Sequence, residues 1–201
     1  MRHLTIVTQH FLAVLMFAAC LQAETFEIRP IENSRFALTV EKTGLMRGRK
    51  HLFLFERYRG TLEFNAAQPE QSRIQLSIEA SSVVCKDEWV SISDLQKIQK
   101  EALEEMLAAK RYPTIAFTSS SVKPLGGTRY EAQGTLTIRD VPKPVTVLVE
   151  LDAKSSATLR LAGSAKIRLT DYKLKPPLAI LGAIGTKDEM TLDFQISGTR
   201  Q

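Results

Sequence analysis

Along most of this 201-residue chain, apolar side chains recur at every second position in one run after another. The cleanest runs are Ile74, Leu76 and Ile78; Leu136 and Ile138; Val145, Val147, Val149 and Leu151; Leu159, Leu161, Ala165, Ile167 and Leu169; and Leu192, Phe194 and Ile196. Between them stand polar residues such as Gln75, Ser77, Thr137, Thr146, Glu150, Arg160, Lys166, Arg168, Asp193 and Gln195. A period of two sends alternate side chains to opposite faces, so each run predicts a strand with one buried and one solvated side. Gly126-Gly127, Asp140 to Pro144 and Asp152 to Ser156 read as turns between runs. Connections this short favour antiparallel neighbours, because a parallel crossover needs roughly a dozen residues or more. The pattern predicts an all-β, mostly antiparallel fold of about eight strands, closed into a barrel so that no edge is left exposed.

One segment follows a different period. From Ser93 to Lys110 the apolar residues Leu95, Ile98, Ala102, Met106 and Ala109 are three or four positions apart, with charges opposite them. That spacing predicts one amphipathic helix near 93–110. Ser93 with Gln96 three residues on reads as the capping box that starts it, and Pro113 stops any continuation. Covering one end of the barrel is the preferred role, with a partner-binding helix as the alternative. A second exception is 173–186, where Pro176-Pro177 precedes an apolar, glycine-bearing stretch through Leu178, Ile180, Leu181 and Ile184. It suits either a hydrophobic lid over a barrel mouth or a packed connection between strands.

The N-terminus changes the picture of where the domain begins. Arg2 and His3 precede the apolar stretch Phe11 to Cys20, and Leu21-Gln22-Ala23 leads into polar Glu24, which reads as a secretory signal peptide cleaved after Ala23. Its apolar core is shorter than the roughly 20 residues of a membrane-spanning helix. Phe17-Ala18-Ala19-Cys20 also resembles a lipoprotein signal, with Cys20 as the acylated residue and a membrane-anchored product as the alternative outcome. The organisation expected is therefore a signal peptide over 1–23 and one domain over 24–201, periplasmic or secreted. Cys85 is then the single unmodified thiol, so no intramolecular disulfide frames the domain. With 27 basic against 22 acidic residues, the mild positive balance favours solubility and a weak membrane-surface contact with anionic lipid.

Several stretches together carry a family resemblance. Asn33 to Phe36, Val40 and Lys42-Thr43-Gly44-Leu45 look like the opening strand and its glycine in YceI-like proteins, and Gly60 to Asn65 is similar to the next hairpin strand. Lys110-Arg111-Tyr112-Pro113-Thr114-Ile115-Ala116-Phe117-Thr118-Ser119 resembles the most specific motif, a Lys-Tyr-Pro-x-Ile-x-Phe-x-Ser run after a helix. Gly134 to Val145 resembles the family's Gly-x-Leu-Thr-Ile hairpin, and Arg168 with Thr170-Asp171-Tyr172 its late strand. The resemblance implies an extended lipocalin-like barrel that binds a polyisoprenoid lipid or isoprenoid quinone in an apolar lumen, in exported bacterial proteins. Asp140 and Lys173 stand where the family usually has glycine, which bears on the shape of those turns. The region 80–107 lacks the family's Arg-Asp-x-His-Leu run and carries Val83 to Trp89 and the helix instead.

An eight-stranded barrel is just wide enough to be filled by its own side chains or to hold one narrow ligand. The inward candidates mix large residues with small ones: Leu76, Ile78, Ala80, Ile115, Phe117, Leu136, Ile138, Val145, Val147, Val149, Leu161, Gly163, Ala165, Ile167 and Phe194. A polar head would meet donors at a mouth, with Arg47, Arg49 and Lys50 or Lys173 and Lys175 as candidates; a solvated charge run is the plainer account of both clusters. No catalytic residue, metal site or cofactor is assigned beyond a bound polyprenoid lipid or quinone. His51 and Cys85 lack the flanking signatures of cysteine enzymes, and with scattered carboxylates they show no metal-ligand spacing. The basic and aromatic residues between Arg47 and Arg59 read as a barrel strand with solvated ends rather than a nucleic-acid platform, since export removes that partner. The alternatives kept are a filled barrel acting as a protein-interaction module and, last, an enzyme.

Overall fold

The computed structural model describes residues 23–155 and 157–201. The expected export segment up to residue 22, with Cys20, lies outside the described residues, as does Ser156. Among the described residues twelve strands form one antiparallel sheet: β1 (Glu24–Arg29), β2 (Arg35–Gly44), β3 (Lys50–Phe55), β4 (Tyr58–Phe64), β5 (Arg73–Glu79), β6 (Val83–Cys85), β7 (Thr114–Gly126), β8 (Arg129–Ile138), β9 (Val141–Ser155), β10 (Thr158–Arg168), β11 (Leu178–Ala179) and β12 (Ile184–Arg200). The order β1-β4-β5-β7-β8-β9-β10-β12 returns to β1, so the sheet closes into an eight-stranded barrel. Strands β2, β3 and β6 continue β1, β4 and β5 beyond kinks in the chain. Long β12 pairs with β2 along its first part and with β1 at its end, which carries the seam past the first kink.

Turns set the register. Arg139 and Asp140 both have positive φ, 51° and 58°, in a two-residue turn that pairs Ile138 with Val141. Such turns match strand twist, and the left-handed conformation is adopted here without glycine; Lys173 does the same at φ 60°. The turn expected over Asp140 to Pro144 is thus only two residues, and Pro142 and Pro144 belong to β9 opposite Thr137 and Thr135. Proline is tolerated there because the β9–β10 ladder stops at Leu148 with Ser164, so the missing N–H groups face a side with no strand partner.

The helix differs from expectation at both ends. α1 (Ile92–Glu101) is capped by Ser91, not Ser93: the Ser91 hydroxyl accepts from the Asp94 amide at 3.1 Å. Ser91 has the extended backbone that an N-cap requires, whereas Ser93 is already helical. After Glu101 the helix widens into a π turn, Ala102–Met106. Its carbonyls at Glu105 and Met106 accept from the Arg139 guanidinium, which ties the helix end to the β8–β9 turn. Among the described residues no helix is long and apolar enough to cross a membrane.

The barrel interior divides into a solid half and a hollow half. In the solid half Phe26, Ile28, Leu62, Leu161 and Ile196 are buried. Two aromatic rings lie across glycines of the neighbouring strand: Phe194 covers Gly163 and Phe117 covers Gly134, where an added Cβ would come within 2.5 and 2.6 Å of the ring. Glycine opposite an aromatic residue lets the ring lie flat on the backbone, so small residues in this half signify filled space.

Candidate functional site

At the other end, inside the extensions β2, β3 and β6 and under the helix, lies a cavity of about 480 Å³. That volume falls within the range of small-molecule sites, and its walls are overwhelmingly apolar. Of the residues expected in a lumen, Ile78, Ile115, Leu136, Ile138 and Ile167 line it. Leu76, Ala80, Val145, Val147, Leu161 and Ala165 are buried in the interior but not on the cavity wall. Phe117, Val149 and Phe194 are half-buried against the core, and Gly163 lies beneath Phe194.

The rest of the wall comes from residues that sequence reasoning passed over. β2 contributes Phe36, Leu38 and Val40, and β3 contributes Phe53 and Phe55. Both sets keep the period of two, a signal that was present but outside the cleanest runs. The helix supplies Ile98, Ala102 and Met106, so it covers the barrel end rather than offering its apolar face outward. Pro177, Ala179, Ile180 and Ile184 close the far side, where β11 pairs with the start of β12 in a short hairpin. The segment 173–186 is therefore a paired hairpin that forms one rim of the cavity.

Polar groups gather on one wall. Lys42 extends the inward series Phe36, Leu38, Val40 by one more step of the pleat and faces the cavity. Burial pushes its ammonium pKa down, opposed by the carboxylates of Glu101 and Asp87. His51 continues the inward series of β3; it is buried, its Nδ1 bonds the Asp87 carboxylate, and its ring stacks on Trp89 at 5.4 Å. The second Asp87 oxygen accepts from the Leu52 amide at 2.9 Å. A carboxylate only accepts, so the proton of this bond sits on Nδ1 and Nε2 is the ring nitrogen left for another partner. Trp89 is anchored by its indole N–H on the Lys50 carbonyl at 2.9 Å.

None of the basic residues expected at a head group lines the cavity. Arg47, Arg49, Lys50, Lys173 and Lys175 are all exposed. Arg49 stacks over Trp89 at 5.4 Å, and Lys50 pairs with Glu41 at 3.1 Å. The two clusters do border the same mouth, in the β2–β3 loop and before the β11–β12 hairpin.

His51 and Cys85, unrelated in sequence pattern, do come together. With Asp87 they form a buried trio whose ligand atoms all lie within 4.8 Å of one another. The carboxylate judged scattered in sequence is thus beside them, because the β3–β6 ladder sets Phe53 against Cys85. Both Asp87 oxygens are already bonded, and burial pushes the Cys85 thiol up to about 11. The raised thiol pKa keeps Cys85 protonated and a poor nucleophile, and the trio is held together by the bonds of Asp87 to His51 and to the Leu52 amide.

A family model described as YceI-like domain matches residues 26–198. The chain belongs to the YceI-like family. This YceI-like protein is 26% identical to a UPF0312 protein of Pseudomonas putida over 73% of its own length and 72% of the relative's. Among solved structures it is similar to Burkholderia cenocepacia BcnA, with a TM-score of 0.62, 23% identity, and coverage of 82% of this chain and 96% of that one. It is also similar to a polyisoprenoid binding domain from Saccharophagus degradans, with a TM-score of 0.60, 13% identity, and coverage of 87% and 98%. At these identities the structural likeness is one of fold. Within this YceI-like barrel, the region 80–107 that departs from the family's usual run forms part of the cavity wall, through Val83, Trp89, Ile98 and Ala102.

Proposed function

We propose that this protein binds and carries, or sequesters, an amphiphilic lipid of the isoprenoid or quinone class, and that it is a binding protein and not an enzyme. The observation that carries the reading is the apolar cavity of about 480 Å³ inside a barrel whose other half is packed solid. Each methylene moved from water into such walls contributes about 0.8 kcal/mol before entropy losses, so a few isoprene units suffice for useful affinity. The solid half ends the cavity, so a short tail fits entirely and a long one emerges through the mouth. A polar head sits by the Lys42, His51 and Trp89 wall, where the Lys42 ammonium offers a donor and the His51 ring a second polar partner. The polyisoprenoid-binding neighbour supports this ligand class, and the N-terminal segment 1–23 supports export to the periplasm, with anchoring through Cys20 as the alternative.

Organic extraction of the purified protein followed by mass spectrometry tests the reading, together with uptake of short polyprenol and quinone analogues. Recovery of a bound isoprenoid, or saturable uptake of one analogue, is the expected outcome. A protein that yields no lipid and takes up neither analogue is not a carrier of this class.

A further inference from the structure

Four of the eight large apolar side chains left exposed among the described residues lie on two adjoining loops at the cavity mouth. Leu45 is 78% exposed, Leu178 72% and Ile180 67%, and Leu181 is fully exposed. The loops are locked side by side: the Leu45 amide donates to the Ala183 carbonyl at 3.0 Å, and a Cβ on Gly44 would come within 2.1 Å of that same oxygen. This is a built protrusion, and stability alone does not account for it. Ile180 and Leu181 both adopt positive φ, 49° and 52°, in the turn of the β11–β12 hairpin. Asparagine or glycine makes such a turn without steric strain, whereas a β-branched residue there is a genuine outlier. Strained backbone combined with solvated apolar side chains marks a surface kept for contact.

The charge around the tip narrows the partner. Arg47, Arg49, Lys50, Lys173, Lys175 and Lys187 flank it, while Glu41 is held by Lys50 and Lys187. Arg47, Lys173 and Lys175 have no ion-pair partner among the described residues. Apolar side chains at a tip with a basic collar match the layered chemistry of a bilayer, whose acyl boundary lies beneath anionic headgroups. We propose that the paired loops around Leu45 and Leu181 dock the barrel mouth onto an anionic lipid bilayer. Ile180 and Ala179 also line the cavity, so a tail leaving the bilayer at the docked tip reaches the lumen without crossing water. This extends the carriage reading by giving its site a route of loading, but docking itself does not depend on which molecule fills the cavity.

The test uses the barrel beginning at Glu24, which contains every strand among the described residues, in co-sedimentation with vesicles of phosphatidylcholine alone or with about one third phosphatidylglycerol. Preferential binding to the anionic vesicles, weakening as salt rises, is expected. The Leu45→Ser/Leu181→Ser variant, folded by circular dichroism, is expected to bind about tenfold more weakly or worse, and Lys173→Glu/Lys175→Glu to lose the preference for phosphatidylglycerol. Neither variant alters the cavity wall, so uptake of a short polyprenol analogue from solution serves as the independent readout of carriage. Vesicle binding without analogue uptake would leave docking standing and end the carriage reading. Wild-type protein that ignores both vesicles, or a serine variant that binds like wild type, overturns the proposal; a dimer that forms through the tip in place of vesicle binding does so as well.

Discussion

Gln99 completes the hydrogen bonding of Cys85 across the open edge of β6: its side-chain oxygen accepts from the Cys85 amide at 2.7 Å, and its NH2 donates to the Val83 carbonyl, also at 2.7 Å. The side-chain amide thereby stands in for a missing strand. β7 begins at Thr114, opposite Glu79, and does not reach β6, so without this amide two main-chain groups at the cavity wall would be unpaired. The helix is held at its other end by Arg139, which makes it a fixed cover clamped at two points.

Gln99→Leu keeps the volume and removes both bonds. Leaving buried groups unpaired costs about 1–3 kcal/mol each, so a loss of about 2–6 kcal/mol in chemical denaturation is expected, together with weakened analogue uptake. Unchanged stability would mean that water or a shifted neighbour replaces the amide at no penalty.

Phe194 marks the floor between the two halves, because it stacks on the cavity residue Phe36 at 5.9 Å and covers Gly163 on its other side. Phe194→Ala is expected to destabilise the barrel by about 3–5 kcal/mol and to lengthen the cavity. The check is a shift of analogue preference toward longer tails. Gly163→Leu, in contrast, is expected to destabilise without any gain in ligand, since its Cβ would meet the Leu148 carbonyl at 2.3 Å as well as the ring.

Lys42→Met separates head-group binding from tail binding. Loss of the ammonium is expected to weaken an anionic head at least about tenfold while leaving an uncharged quinone nearly unaffected. Its effect on stability has a defined sign. The folded pKa of Lys42 lies below its unfolded value, so between the two the unfolded chain binds more protons and the contribution of Lys42 to stability rises with pH, opposite in sign to that of Cys85. Lys42→Met is expected to flatten that rise, which denaturant titrations over the alkaline range will show.

Cys85 is expected to resist alkylation. With its thiol pushed up to about 11 by burial, the thiolate fraction at neutral pH falls about a hundredfold below that of an ordinary cysteine. Mass-spectrometric labelling with iodoacetamide should be slow for the folded protein and fast in denaturant. Rapid labelling of the folded state would reopen a chemical role for the His51, Cys85 and Asp87 trio. The same shift predicts a Cys85 contribution to stability that falls as pH rises from about 9 toward 11, because the folded state there retains a proton that the unfolded chain gives up.

The amino-acid sequence by itself determined the strands, the closed antiparallel class, the helix and the family. These are local properties: the pleat enforces a period of two and the helix one of 3.6, so a few neighbouring residues reveal each. Even the cap lay within two residues of its expected place, the difference being whether Ser91 or Ser93 is the last extended residue. Which half of the barrel is hollow was decided only in three dimensions. Small residues such as Gly163 look like space until the opposite strand delivers Phe194, and Lys42 looks like one more surface charge until the inward series of β2 is followed to its end. His51 meets Asp87 from thirty-six residues away, and Gln99 meets a strand edge that no local pattern announces. Interior volume and buried polarity depend on the register between distant strands, and register is fixed by the summed packing of the closed barrel, not by the alternation within any one of its staves.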